Sequence, residues 1–409
     1  PSFYIINSPG GDRMVELIFK SVWAFVKEKK TLMIYLFLAM SIGNIIFFFS
    51  TSDLLQNKRV SLKPYIYEKP SISAVSLRIL VLLSLQIIVL FFTKSYNAII
   101  VISCSAFGSL LASLIHFFLT RKNKFLSLTN LIHGILIGML LPQNYPPFTA
   151  LLVSFGTLII FKYVFESSEN FWINIVSVSV LIAYFIGKVY FPEFLITPDL
   201  FSVKNPSVQL INNGVFPVYD FDITLTNFLN SNILNNFKVT LPQGILSMLW
   251  DTNSVIPAFR FNLLTIIASL VLFSDNSFSM LIPSIFLFVY LFLIRLFFPY
   301  VSGGEFNQGD VLLALLTSGT LFTAVFLIQW FGTHPMTIIG KIIYAVIAGL
   351  YAFITVGCGT SPIGMIYVII ICNIINLLIR LIEEKRMDYL MHKMTRISPI
   401  DKELLNAGN

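Results

Sequence analysis

Five cations lie in or at the edges of runs otherwise built from Leu, Ile, Val and Phe: Lys162, Lys188, Arg260, Arg295 and Lys341. A charge at hydrocarbon depth is costly, and the default reading is a functional one. Lys188, Arg260 and Lys341 fall near the ends of their runs, where a long stem carries the charged head to the interface. Arg295 stands just before Pro299 and reaches an interface in the same way. Lys162 lies deeper in its run, and its ammonium is suited to pairing with a partner carboxylate.

Other reactive residue types are sparse. His116, His133, His334 and His392 are not spaced as a metal cluster. His133 stands beside Gly134 in a short apolar run, where core packing and a lumen-facing role are both open; His334 reads as a loop residue. Cys104, Cys358 and Cys372 are far apart in apolar runs, form no CxxC pattern and read as small packing residues. No nucleophile–base pair or paired carboxylate stands out, which argues against a hydrolase. Glu305 and Asp310 mark a helix entrance, but the runs hold almost no acid, so the chain alone lacks a proton relay. The turns Ser302-Gly303-Gly304, Thr317-Ser318-Gly319 and Gly357-Cys358-Gly359-Thr360-Ser361 offer backbone N–H groups of the kind that bind phosphate. None is a P-loop or dinucleotide fingerprint. Gly319 serves either such a contact or close helix packing.

The elements that must position these residues are membrane helices. Apolar residues make up 56% of the 409, and charged residues 11%. Mean hydropathy is +0.83. A water-soluble fold cannot bury that much apolar surface, so the solvent is lipid. The net charge of +7 fits basic cytoplasmic loops and anionic lipid. No soluble segment offers the basic, aromatic face of a nucleic-acid binder. Backbone groups in hydrocarbon must bond internally, so each run is expected as a helix of about 20 residues. The runs are 31–50, 76–93, 97–119, 129–141, 148–165 and 172–190, then 260–274, 279–298, 311–330, 337–356 and 362–382. The run 129–141 is too short to span upright and leads into Pro142, Pro146 and Pro147, as a broken or re-entrant element would.

This gives an all-α polytopic membrane protein with ten to eleven spans. Its expected parts are an N-terminal segment 1–70, a first repeat 71–190, a polar connector 191–259, a second repeat 260–384 and a tail 385–409. The halves look weakly alike around Leu131–Leu136 and Leu316–Leu321. Lys385, Arg386, Lys393 and Arg396 place the tail in the cytoplasm, and counting back puts the connector outside. With 31–50 as a span, the basic N-terminus falls outside too. Either that run is not a simple span, or residues 14–26 form a further interfacial or membrane element. No small-residue cleavage site follows 31–50, so no cleavable signal is expected.

The stretch from Leu312 to Ile379 carries four matching pieces: Leu316-Thr317-Ser318-Gly319-Thr320, Thr333-His334-Pro335-Met336-Thr337, Gly340-Lys341-Ile342-Ile343-Tyr344 and Asn373. Gly134 to Pro142, Lys162 and Asn7-Ser8-Pro9 add to them. Together they resemble the RnfD/NqrB family over about residues 70–409. RnfD is a membrane component of Rnf-type electron-transport complexes, and its relative NqrB belongs to the sodium-translocating NADH:quinone reductase. The resemblance implies a urea-transporter-like bundle in the bacterial cytoplasmic (inner) membrane, working with other subunits of an electron-transport complex that moves Na⁺ or H⁺. It also implies FMN held by a phosphoester to a Thr of the outer connector, with riboflavin or another flavin as the variant.

The resemblance nominates Thr226 as acceptor, at the family's spacing from Asp220, with Thr224 second. It gives Lys162 a flavin phosphate as a further partner. Ile223, Thr224 and Leu225 replace the small residues that precede the family's acceptor, and residues 165–174 keep only the Asn-aromatic core of its glycine-rich stretch. The unmodified alternative for residues 220–229 is an extended loop. Two other functions stay open: a solute channel or transporter on the same bundle, and a scaffold subunit that has lost the cofactor.

Overall fold

The computed structural model describes residues 72–120, 128–164, 173–192, 206–232, 234, 240–274, 278–301, 306–330, 332–358 and 361–396. The expected elements at 14–26 and 31–50, and the basic loop at 121–124, lie outside the described residues. Every described residue belongs to one unit, 70–409.

The first set of helices is α1 (Ile72–Phe92), α2 (Tyr96–Thr120), α3 (Leu128–Leu140), α4 (Pro147–Thr157, continued by a π-helix Leu158–Val164) and α5 (Ile175–Ile186). The connector holds α6 (Pro206–Asn212), α7 (Asp220–Asn232), α8 (Ile245–Trp250) and a 3₁₀ turn, Pro257–Phe259. Then come α9 (Asn262–Ser274), α10 (Leu281–Val301), α11 (Val311–Thr317), α12 (Thr320–Phe326), α13 (Ile338–Val356) and α14 (Gly364–Arg396). No described residue is in a strand. The chain is a multi-pass, all-α membrane protein.

Among the described residues, five helices are long and apolar enough to cross a bilayer, within α1, α2, α10, α13 and α14. The shorter ones follow a different rule. At 1.5 Å per residue α3 is about 20 Å long, short of the roughly 30 Å hydrocarbon layer. Yet Asn130 and every residue from Ile132 to Leu140 are buried. A helix wrapped by other helices need not match the lipid thickness, because lipid is not its solvent. The longer helices supply that wrapping, with α2 packing along both α3 and α4, and α10 along α13. Small residues permit the close approach. A Cβ on Gly134 or Gly138 would overlap the hydroxyl of Ser109 or Ser105.

Three departures from the expected spans are informative. The run 311–330 is not one helix but two of seven residues each. Gly319 has φ +67°, a left-handed conformation that ends α11. The freed carbonyls find other donors: Thr317 Oγ1 to Leu313 O at 2.7 Å, Ser318 Oγ to Ala314 O at 2.5 Å, and Asn262 Nδ2 to Leu316 O at 2.9 Å. A helix can break in a membrane only where such partners stand ready. The run 172–190 shortens to α5, capped by Asn174, whose side chain accepts from Val176 N at 3.0 Å. The last helix runs past 382 to Arg396, and its residues 384–391 are exposed.

The apolar interior falls into two main clusters. One joins α1, α3 and α5 to Phe259, Phe261, α9, Phe322, Trp330 and the start of α14. The other lies among α10, α11, α13 and the far face of α14. Helix α9, expected with the second repeat, therefore shares its core with the first set.

Candidate functional site

The connector is the expected seat of chemistry, and α7 is the longest helix among its described residues. Asp220 and Asp222 in its first turn favour a helix start, so the segment is helical rather than the extended loop of the unmodified alternative. Its buried residues are Asp222 and Thr226, one turn apart. Thr226 Oγ1 donates to Asp222 Oδ1 at 2.6 Å. The other carboxylate oxygen of Asp222 accepts from Ser247 N and Ser247 Oγ, both at 2.7 Å. Ser247 Oγ in turn accepts from Tyr219 N at 3.0 Å. Asp222 is thus a hub that fastens α7 to α8. Its pairing with Thr226 has a sequence signal, Asp and Thr four apart at a helical neighbour spacing, which the acceptor pattern built on Asp220 passes over.

The two nominated hydroxyls differ in access. Thr226 is 0% exposed, and its hydroxyl is engaged inside the hub. A phosphoester there would set a phosphate against the buried Asp222 carboxylate with no room to stand. Thr226 as folded does not fit an FMN anchor. Thr224 is exposed, as is Asp220, and its hydroxyl donates to Asp220 O at 3.0 Å. Thr226→Val, which keeps the shape and removes the hydroxyl, is expected to lower stability by about 1–2 kcal/mol by leaving one Asp222 oxygen short of a donor. Thermal unfolding in detergent checks this.

The structure does not bring Lys162 to the connector. Gln143 N donates to Val255 O at 2.9 Å, so the turn before α4 lies beside the connector's end. Lys162 lies near the far end of the π-helix, about 20 Å further along. There it donates to Asn130 Oδ1 and, at 3.4 Å, to Thr129 Oγ1. Asn130 Nδ2 donates to Ser113 Oγ and, at 2.6 Å, to Tyr163 OH. His116 stacks on Tyr163 with centroids 4.0 Å apart. A π-helix inserted in an α-helix often marks a functional place, and this one turns Lys162 onto a polar cluster spanning α2, α3 and α4.

Gly319 lies under the connector's last turn. A Cβ added there would stand 2.0 Å from the Phe259 ring, so close packing occupies the space a ligand would need. His133 is buried and accepts from Trp330 Nε1 through Nε2 at 3.1 Å, joining α3 to the segment after α12. Arg260, expected to snorkel, is instead 7% exposed, with Asp251 at 2%, and the two pair bidentately. Nε reaches Oδ1 at 3.0 Å and Nη2 reaches Oδ2 at 2.5 Å. Nη1 adds a bond to Ser95 Oγ at 2.6 Å, tying connector, α9 and the α1–α2 turn together. The sequence conceals this partner because Asp251 lies in the polar segment and not in a membrane run. No group of metal-ligating side chains occurs among the described residues.

At the end away from the connector, Glu383 accepts from Met336 N and Thr337 N, each at 3.1 Å, and from Thr337 Oγ1 at 2.5 Å. This holds α14 to the segment before α13. His334 sits in that segment, and burial lowers its pKa below the usual histidine value; Lys341 and Arg380 push the same way, while its bond to Pro335 O and Glu383 oppose them. A histidine whose folded pKa is depressed favours the fold most above its unfolded pKa, and that contribution is lost as pH falls through the folded value. Acidification below the ordinary histidine range should lower Tm, and His334→Gln should flatten that dependence in a pH series of melting curves.

These features sit on a recognised architecture. The model of the NQR2, RnfD, RnfE family matches residues 59–388, which is most of the chain and takes in both helix sets and the connector. The chain belongs to that family. No curated protein matches it. Within the NQR2, RnfD, RnfE family it is an RnfD/NqrB-type membrane subunit, and the matched range includes the α7–α8 hub, the Arg260–Asp251 pair and the helix break at Gly319.

Proposed function

We propose that this protein is the lipid-embedded subunit of an Rnf/Nqr-type complex in the bacterial cytoplasmic membrane, where electron transfer drives Na⁺ or H⁺ across the bilayer. The observation that carries this reading is the family match across both helix sets and the connector. Ten to eleven spans in two related halves, arranged as a urea-transporter-like bundle with the connector outside, complete the proposal. The sequence carries no CxxC, P-loop or dinucleotide motif, and we place iron–sulfur ligands and the NADH site on partner subunits.

FMN on the connector is part of the proposal, with Thr224 as the anchor in place of Thr226. Two features support this order. Thr224 is exposed on the second turn of α7, where a transferase can reach its hydroxyl, while Thr226 is committed to Asp222. FMN, when bound, supplies one- and two-electron redox capacity. The chain's own share is to hold α7 rigid against α8 through Asp222 and Ser247.

The test is ultraviolet-excited flavin fluorescence of the denatured chain on a gel, after expression in cells that contain the flavin transferase. The expected band disappears in Thr224→Ala and persists in Thr226→Val. A band lost only in Thr226→Val would mean that α7 opens before modification, and the Thr224 assignment would fall. The burial of Thr226 favours one further reading, a scaffold subunit that has shed its flavin; a dark band in every variant together with no solute uptake in proteoliposomes would favour it.

A further inference from the structure

Helix α7 is held at both ends. Asp222 fastens its first turn to Ser247. Near its last turn Asn230 exchanges two bonds with the Leu241 backbone, donating to O at 2.9 Å and accepting from N at 2.8 Å. Asp222 and Thr226 fix the inward side, so the opposite side cannot roll under. At 3.6 residues per turn, Thr224 stands at the middle of that outer side, between two edges. Asp220 and Asn227 lie on one edge, and Phe221, Leu225 and Phe228 on the other. Leu225 is 45% exposed and Phe228 55%. Large apolar side chains held outward together mark a surface that something covers.

Charge and reach decide between the occupants. A helix lying on a bilayer surface carries Lys or Arg on its polar edge; α7 has neither, and it presents the exposed Asp220. A flavin carried on Thr224 is within one turn of the apolar edge. Asp220 repels its phosphate and turns the ring away from the polar edge. Side chains in a helix lean toward its start, so Phe228, one turn later, leans back toward Thr224. Phe221, one turn earlier, is half-buried and already stacked on Tyr219, with centroids 5.8 Å apart. We propose that Phe228, with Leu225 beside it, seats the ring of a flavin carried on Thr224, and that Asp220 sets the side on which the ring lies. The seat rests on Thr224 being the anchor. Phe228 is a positioning residue: packing against one ring face shields that face from water and fixes where the redox group stands on α7.

The test uses the full chain, purified after expression in cells that contain the flavin transferase. The denatured gel reports attachment. The native protein reports the seat, through the bimolecular rate at which iodide quenches flavin emission, taken from emission lifetimes. Phe228→Ser leaves the local charge unchanged, and an exposed side chain can be lost without unfolding the helix. The variant should keep the fluorescent band and, with a second ring face opened, be quenched about twofold faster than wild type. Leu225→Ser should shift the rate in the same direction by less. A wild-type band with equal quenching in Phe228→Ser would overturn the seat and leave the anchor standing; loss of a partner subunit from the native gel in that variant would then assign the face to protein docking. A band lost in Phe228→Ser would give the phenyl to transferase recognition and would also overturn the seat. A dark wild-type gel removes the anchor, and the seat with it.

Discussion

Arg260→Met should be among the most damaging single changes in this protein, costing about 3–5 kcal/mol of stability, the usual penalty for leaving half of a buried ion pair uncompensated. The magnitude follows from what remains. Asp251 stays buried, keeps its bond from Asn253 N at 2.8 Å, and loses both guanidinium contacts. Ser95 Oγ loses its link to the connector. Asp251→Asn should cost nearly as much, since it strands the cation instead. The double variant Arg260→Met with Asp251→Leu should recover much of the loss, because a packed apolar pair carries no desolvation penalty. Thermal unfolding of the three variants in one detergent gives the cycle. Additive losses in the double variant would mean that the pair acts through something other than charge.

Gly319→Ala is the second large effect, expected at about 3 kcal/mol or more from backbone strain and overlap combined. The residue holds φ +67°, where a side chain is disfavoured. Its Cβ would also meet Cε1, Cδ1 and Cζ of Phe259 at 2.0, 2.3 and 2.7 Å. Neighbouring Thr320 Oγ1 holds Ala314 O at 3.2 Å, so α11 and α12 cannot slide apart to make room. Phe259→Ala in the same chain should relieve the overlap and leave the strain, recovering part of the stability. Full recovery would show that the left-handed turn itself costs nothing to populate with alanine.

The long helices are legible in the sequence because an apolar run of span length has few alternatives in lipid; α1, α2, α10 and α13 fall close to their expected ends. The break inside 311–330 is not. Thr317, Ser318, Gly319 and Thr320 are small and scarcely interrupt the hydropathy, and the break is sustained by a donor from elsewhere, Asn262, together with the hydroxyls of Thr317, Ser318 and Thr320 turned onto carbonyls of α11. Helix α7 is legible in principle, since Asp220 and Asp222 mark its first turn. The sense of Thr226 is not, because its burial depends on α8 and Ser247, 19 or more residues away in sequence. Lys162 shows the same limit. Its place in a run can be read, but Asn130 and Thr129, its partners across α3, cannot.

The central claim is that this bundle works as one subunit of a redox complex. The most direct measurement is to purify the tagged full-length chain from its native membranes in mild detergent, then read the complex by native gel and its redox centres by optical and electron paramagnetic resonance spectra. The expected result is a stable assembly with flavin and iron–sulfur signals that respond to a low-potential donor. A chain that runs alone, shows no redox signal and passes a small solute in proteoliposomes would contradict it.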